Sequence, residues 1–213
     1  MHFDGILNNL GWPPKLQSII WNGDVAIHPW MVSIPNTLVK FTLMHWDSCY
    51  LYGLLTGMTS FPQNVKIIEV FGSRRLSLFQ FPEFLEELSC TQAAFTDENT
   101  ISSLRKLRLN GDHGPTCINL LYSTPNLTTL ILEQNLGNIL YPPALRCLHI
   151  KHGSYYTGKL PKSLEVLELG EDGYVFRAGD VPETLKYLYI PTLKLKRLRY
   201  ISCTTNVRLK YHG

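Results

Sequence analysis

Cys147, His149, His152 and Glu168 come closest, in type and spacing, to a reaction centre in this 213-residue chain. A thiol two residues from an imidazole, with a carboxylate 19 residues beyond it, supplies a nucleophile, a base and an orienting acid. The thiol and the two histidines could also take part in a metal site. Either chemistry needs more than these side chains. A thiol catalyst needs oxyanion donors and a site closed to water, and a metal needs a fourth ligand. Gly-x-Gly-x-x-Gly, Walker, His-Glu-x-x-His and paired Cys-x-x-Cys patterns are absent. What these residues can do therefore depends on the elements that hold them.

Those elements repeat. Gly-Lys-Leu-Pro-Lys-Ser-Leu-Glu-Val-Leu-Glu-Leu from Gly158 returns 21 residues later as Gly-Asp-Val-Pro-Glu-Thr-Leu-Lys-Tyr-Leu-Tyr-Ile from Gly179. The template Pro-x-x-Leu-x-x-Leu-x-Leu, with conservative exchanges, begins at Pro13, Pro35, Pro62, Pro82, Pro142, Pro161 and Pro182. Two further copies lack the proline, at Leu104-Leu107-Leu109 and Leu127-Leu130-Leu132. The first apolar positions of the nine copies are 18 to 27 residues apart. A tenth, irregular copy is expected at Leu195, Leu198 and Tyr200.

The last two apolar positions of each copy are two apart, the period of a strand with one buried face. The first lies three residues earlier, at the turn into the strand. One such strand is too short to bury its apolar side alone, so copies must stack about 4.8 Å apart into a parallel sheet over a continuous core. The proline fixes φ ahead of the strand, where its missing N–H costs no ladder bond. It also extends its apolar predecessor, such as Phe61, Phe81 or Leu160, which then turns inward on the convex side. Asp24, Asp112, Asn135 and Asp172 stand where the chain leaves the strand and would bond backbone there. Residues 49–55 and 115–122 read as short helical return segments.

A period near 21 with this core belongs to leucine-rich repeats. The expected fold is thus a mostly β solenoid, a curved parallel sheet with an irregular or 3₁₀ convex side. Gly-x-[Leu/Val]-Pro-x-[Ser/Thr]-Leu, at Gly158–Leu164 and Gly179–Leu185, resembles the FNIP-repeat subgroup in particular. That resemblance implies a non-catalytic scaffold that binds another protein on the concave sheet. Chains of this look also serve as substrate receptors of F-box ubiquitin ligases; here the F-box would have to come from another chain or segment.

Bulk composition agrees with a folded, repeat-built domain spanning residues 1–213, with 1–12 as an N-terminal cap and 201–213 as a basic C-terminal end. Apolar residues make up 45% of the chain, enough for a core. No apolar run is long enough for a membrane span, and the start lacks the pattern of a secretory signal. Five cysteines without paired spacing read as reduced thiols of an intracellular protein, cytoplasmic or nuclear. The lone sequon at Asn126 argues weakly the other way. No cofactor or metal is expected.

On a strand, the positions flanking the middle core residue face solvent. They carry the candidate binding residues: Ile67, Glu69, Glu87, Lys106, Arg108, Ile131, His149, Glu168, Tyr187, Tyr189, Arg197 and Arg199. Glu69, Glu86 and Glu87 with Arg105, Lys106 and Arg108 form either a bipolar docking patch or mutually paired surface charges. Beyond Glu183 there are seven Lys and Arg and no acidic residue, with tyrosines interleaved. This end suits an acidic protein segment, a nucleic acid or an anionic surface, or it is a solvated end-cap. On an open sheet the Cys147–His149–Glu168 group has no pocket, and His113 lies two copies back, about 10 Å away by the strand spacing. The leading expectation is therefore a protein partner, with nucleic acid second.

Overall fold

The structure, a computed structural model, describes residues 2–3, 12–22, 35–44, 61–71, 80–91, 100–110, 118–133, 139–152, 160–170, 181–191 and 208–212. The chain forms two compact units, Met1–Leu104 and Arg105–Gly213. In the first, β1 (His2–Phe3), β2 (Ser18–Asn22), β3 (Lys40–Met44), β4 (Ile67–Val70) and β5 (Glu87–Thr91) lie side by side in chain order. The pairings from β1 to β5 are parallel.

The second unit repeats the plan. Its ladder runs β6 (Lys106–Asn110), β8 (Thr129–Leu132), β10 (Cys147–Ile150), β11 (Val166–Leu169), β12 (Tyr187–Pro191) and β13 (Arg208–His212), again parallel. Between repeats, β7 (Ile118–Asn119) pairs with β9 (Ile139–Leu140) away from the main ladder. The helix expected over 115–122 is one turn, Leu120–Ser123, preceded by β7.

Register follows the template copy by copy. Leu107, Leu130, Leu148, Leu167 and Leu188 are successive partners across the second ladder, and Ile19, Phe41, Ile68 and Leu88 across the first. All nine are essentially solvent-free. Leu104, Leu127, Leu145, Leu164 and Leu185 at the strand entries are buried with them. Each such aliphatic side chain contributes about 1.5–3 kcal/mol by leaving water, and only neighbouring copies remove that water. Phe61 lies between Phe41 and Phe81, with ring centroids 5.8 Å and 6.1 Å away, so the residue before the proline stacks from copy to copy.

The proline has a second role, visible in its carbonyl. The first core residue of all nine copies donates its N–H three residues back, closing a β-turn into the strand: Leu16 to Pro13 at 3.0 Å, Leu85 to Pro82 at 3.2 Å, Leu164 to Pro161 at 3.1 Å. Proline opens this turn and supplies only its oxygen, so its lack of an N–H is immaterial. Ile101 and Thr124 accept the same bond in the copies without proline. The next two N–H groups then converge on one carbonyl of the preceding copy, as Glu165 and Val166 do on Arg146.

The hydroxyl before the first leucine ties copies together. Thr37, Ser103, Ser163 and Thr184 each donate to the carbonyl of the first leucine one copy earlier: Leu16, Leu85, Leu145 and Leu164, at 2.6–2.8 Å. The Ser/Thr of the Pro-x-[Ser/Thr]-Leu phrase is therefore a staple between turns. It satisfies a carbonyl that lies ahead of the strand's own ladder.

The strand beside β12 differs from the expected Leu195-Leu198-Tyr200. Arg208–His212 takes that place, with Leu209 opposite Leu188 and Tyr211 opposite Ile190. The reason is chain length. Leu195 follows Leu185 by ten residues, too few for a coil, whereas Asn206 follows it by 21, the period of the repeat. Residues 49–55, Asp24, Asp112, Asn135, Asp172, Leu195, Leu198 and Tyr200 lie outside the described residues.

Candidate functional site

The solvent side of each ladder is built by the alternation of buried and half-buried residues along β4, β6, β8, β10 and β11, while Thr42 on β3 and Ser89 on β5 are buried. In the first unit Ile67 stands in register between Lys40 and Glu87, and Glu69 between Thr42 and Ser89. Glu69 is engaged: Lys40 Nζ lies 2.9 Å from one carboxylate oxygen and Thr42 Oγ1 donates to the other at 2.9 Å. Glu86 pairs with Lys66 at 2.6 Å on the exposed entry side. The Ser89 hydroxyl is buried without a hydrogen-bond partner among the described residues.

In the second unit, Lys106 and Arg108 stand on β6 opposite Thr129 and Ile131. Arg108 grips Glu133, just past β8, through Nε at 2.7 Å and Nη2 at 2.5 Å. Lys151 approaches the same Glu133 oxygen at 3.1 Å. Partial burial works to raise the Glu133 carboxyl, but the bonds and charges of Lys151 and Arg108 prevail and hold it below the usual range. At the strand entries, Glu165 binds Lys186 at 2.8 Å and faces Arg146 at 3.5 Å. The Lys186 bond holds the Glu165 carboxyl below its usual range. Of the expected charge patch, Glu69, Glu86 and Arg108 thus pair within their own units, with Lys40, Lys66 and Glu133.

His149 and Glu168 meet as anticipated, Nδ1 to Oε2 at 2.6 Å. A carboxylate only accepts, so Nδ1–H donates. Cys147 occupies the same face two residues away, in register with Thr129 and Val166. Burial raises its thiol above the ordinary value, against a hydrogen bond with Thr129 that lowers it. The attacking species in thiol chemistry is the thiolate, and the raised thiol works against it. His152 lies exposed past β10. Among the described residues no three His, Cys, Asp or Glu side chains converge as metal ligands do.

Tyr187 and Tyr189 sit on β12, in register with Val166 and Glu168 on one side and Arg208 and Lys210 on the other. The basic positions beside the tyrosines are thus Arg208 and Lys210, in the places expected for Arg197 and Arg199. The latter two lie outside the described residues. Reading the strand faces alone misses the charges at the entries and exits: Arg146, Glu165 and Lys186, then Glu133 and Lys151. One signal points to the first set, namely charges of alternating sign at one template slot in three successive copies.

Neither a known protein family nor a curated protein matches the sequence. Among solved structures, the chain is similar to CroV588, described as a novel circular LRR protein, with a TM-score of 0.50 and 16% identity. The likeness covers 94% of this chain and spans about a third of the other, 33%. At this identity it concerns the fold alone: the chain is a leucine-rich-repeat-like solenoid. Among the described residues no helix is long and apolar enough to cross a membrane.

Proposed function

We propose that the chain is a non-catalytic protein-interaction module that takes its partner on the solvent side of the strands, with the face of the second unit as the principal surface. The observation that carries this reading is the set Ile131, Val166, Tyr187 and Tyr189. These apolar and aromatic side chains are half-buried on β8, β11 and β12 of one ladder, with β10 and its Cys147 and His149 between β8 and β11. Rigid presentation of tyrosine and aliphatic groups suits a binding hot spot, because little side-chain freedom is lost on contact. The free thiols of Cys90 and Cys147 fit an intracellular setting. The hydroxyl staples of Ser163 and Thr184 give a structural role to the slot shared with the FNIP-type phrase and support that subgroup.

A second reading, electrostatic binding of a nucleic acid or an anionic surface, is favoured by the register of Tyr187 with Arg208 and of Tyr189 with Lys210. Affinity purification with the full chain and with a Tyr187→Ala/Tyr189→Ala variant tests the first reading. Protein partners recovered by the wild type should be lost by the variant while its far-UV circular dichroism is unchanged. Identical recoveries overturn it, and a polyanion lost steeply with salt would establish the second reading instead.

A further inference from the structure

Charge divides sharply between the two units. The first holds five Lys and Arg against nine Asp and Glu, the second fifteen against eight. On the strand side of the second unit this excess is organised. Glu133 is shared by Arg108 and Lys151, and Glu165 by Arg146 and Lys186. Each group sets two cations on one carboxylate and so keeps a surplus positive charge. The Glu165 group lies at the strand entries and the Glu133 group at the exits. About five residues of strand separate these levels, roughly 16 Å at 3.3 Å per residue. Between them lies the face of Ile131, Val166, Tyr187 and Tyr189, where the carboxylate among the described residues is Glu168, bonded to His149.

We propose that this face binds an extended acidic segment of a partner protein, with carboxylates toward both ends and uncharged side chains in the middle. The surplus cation at each level receives a carboxylate of the segment, and Arg108 and Lys151 together offer donors of fixed direction and of adjustable reach. The middle of the segment must be apolar or a hydrogen-bond donor, because Glu168 would repel an acid there. A continuous polyanion meets that same carboxylate, which is why a peptide with a charge gap fits better than a nucleic acid. The inference rests on the strand face being the binding surface.

Display selection of random twelve-residue peptides on the immobilised full chain tests it. Selected peptides should carry net negative charge with acidic residues flanking an apolar centre, and one representative should bind a Lys151→Glu/Lys186→Glu variant at least tenfold more weakly. Neutral or basic selected sequences, no enrichment, or equal binding to the charge-reversed variant overturns the acidic segment. So does displacement of the peptide by an equimolar twelve-nucleotide single-stranded RNA or by phosphatidylserine vesicles. The same peptide is tested on Tyr187→Ala/Tyr189→Ala. If charge reversal weakens binding and the tyrosine variant does not, the acidic preference stands and the tyrosine face falls. If the tyrosines matter and the charges do not, the acidic segment falls and the face stands.

Discussion

Thr184 Oγ1 lies 2.8 Å from the carbonyl oxygen of Leu164, one turn of the solenoid away, and donates to it. Its hydroxyl also lies 2.7 Å from the Lys162 carbonyl. Replacing it by valine keeps the shape and removes the donor, leaving a part-buried carbonyl unpaired. Thr184→Val should lower unfolding stability in urea by about 1–2 kcal/mol, while Thr184→Ser stays within about 0.5 kcal/mol of the wild type. Equal losses for both would mean that the methyl group, and not the hydroxyl, joins the copies.

The staple also marks where sequence reasoning works and where it stops. Leucines at fixed spacing announced the ladder because burial leaves them no alternative; a one-residue slip would turn every core side chain to solvent. Leu107, Leu130, Leu148 and Leu167 stack in register accordingly. The hydroxyl bond stayed hidden because Ser163 and Thr184 read as ordinary turn residues, and a cross-copy bond depends on the superposition of two turns. The last strand was misplaced because Leu195-Leu198-Tyr200 matches the pattern locally, while Asn206 stands where the template has leucine. Local pattern competed there with coil length, and length prevailed. Of the candidate site, His149 with Glu168 followed from strand alternation. The two cation-sharing carboxylates did not, because their long side chains reach partners on neighbouring copies from positions that the core pattern leaves unconstrained.

Gly170 marks a close approach of two neighbouring strand exits. A Cβ built there would fall 1.6 Å from the carbonyl oxygen of Lys151, and the Gly170 N–H donates to the Ile150 carbonyl at 2.6 Å. Backbone cannot yield as a side-chain tip can. Gly170→Ala should therefore destabilise the chain by about 2–4 kcal/mol in urea titration, beyond the usual range for an alanine on a half-buried edge. A change below about 0.5 kcal/mol would show that the strand exits are further apart than described.

Cys90 is wholly buried at the third core position of its copy, and burial pushes its thiol up to about 12. Alkylation requires the thiolate and an open path to it. Iodoacetamide at pH 8 should leave the Cys90 peptide unmodified in the native chain and label it fully once urea has unfolded the solenoid. Peptide mapping by mass spectrometry reads both states. Labelling of Cys90 under native conditions at the rate of a free thiol would remove that strand position from the core.

Glu133 gives the fold a defined response to acid. Its folded carboxyl titrates below the ordinary range because Lys151 and Arg108 bond and face the charged form more strongly than partial burial opposes it. A carboxyl depressed on folding contributes stability above its unfolded value, about 4.3 for glutamate, and loses it as pH falls through the lower folded value. Glu133→Gln should therefore cost about 1–2 kcal/mol at pH 7. The difference between variant and wild type should shrink from about pH 4.5 downward and vanish once the wild-type carboxyl is protonated. Urea titrations of both proteins from pH 7 to pH 3 measure it. A gap that stays constant across that range would mean that Glu133 acts through packing, and would remove the ionic link between Arg108 and Lys151 on which the exit side of the proposed surface depends.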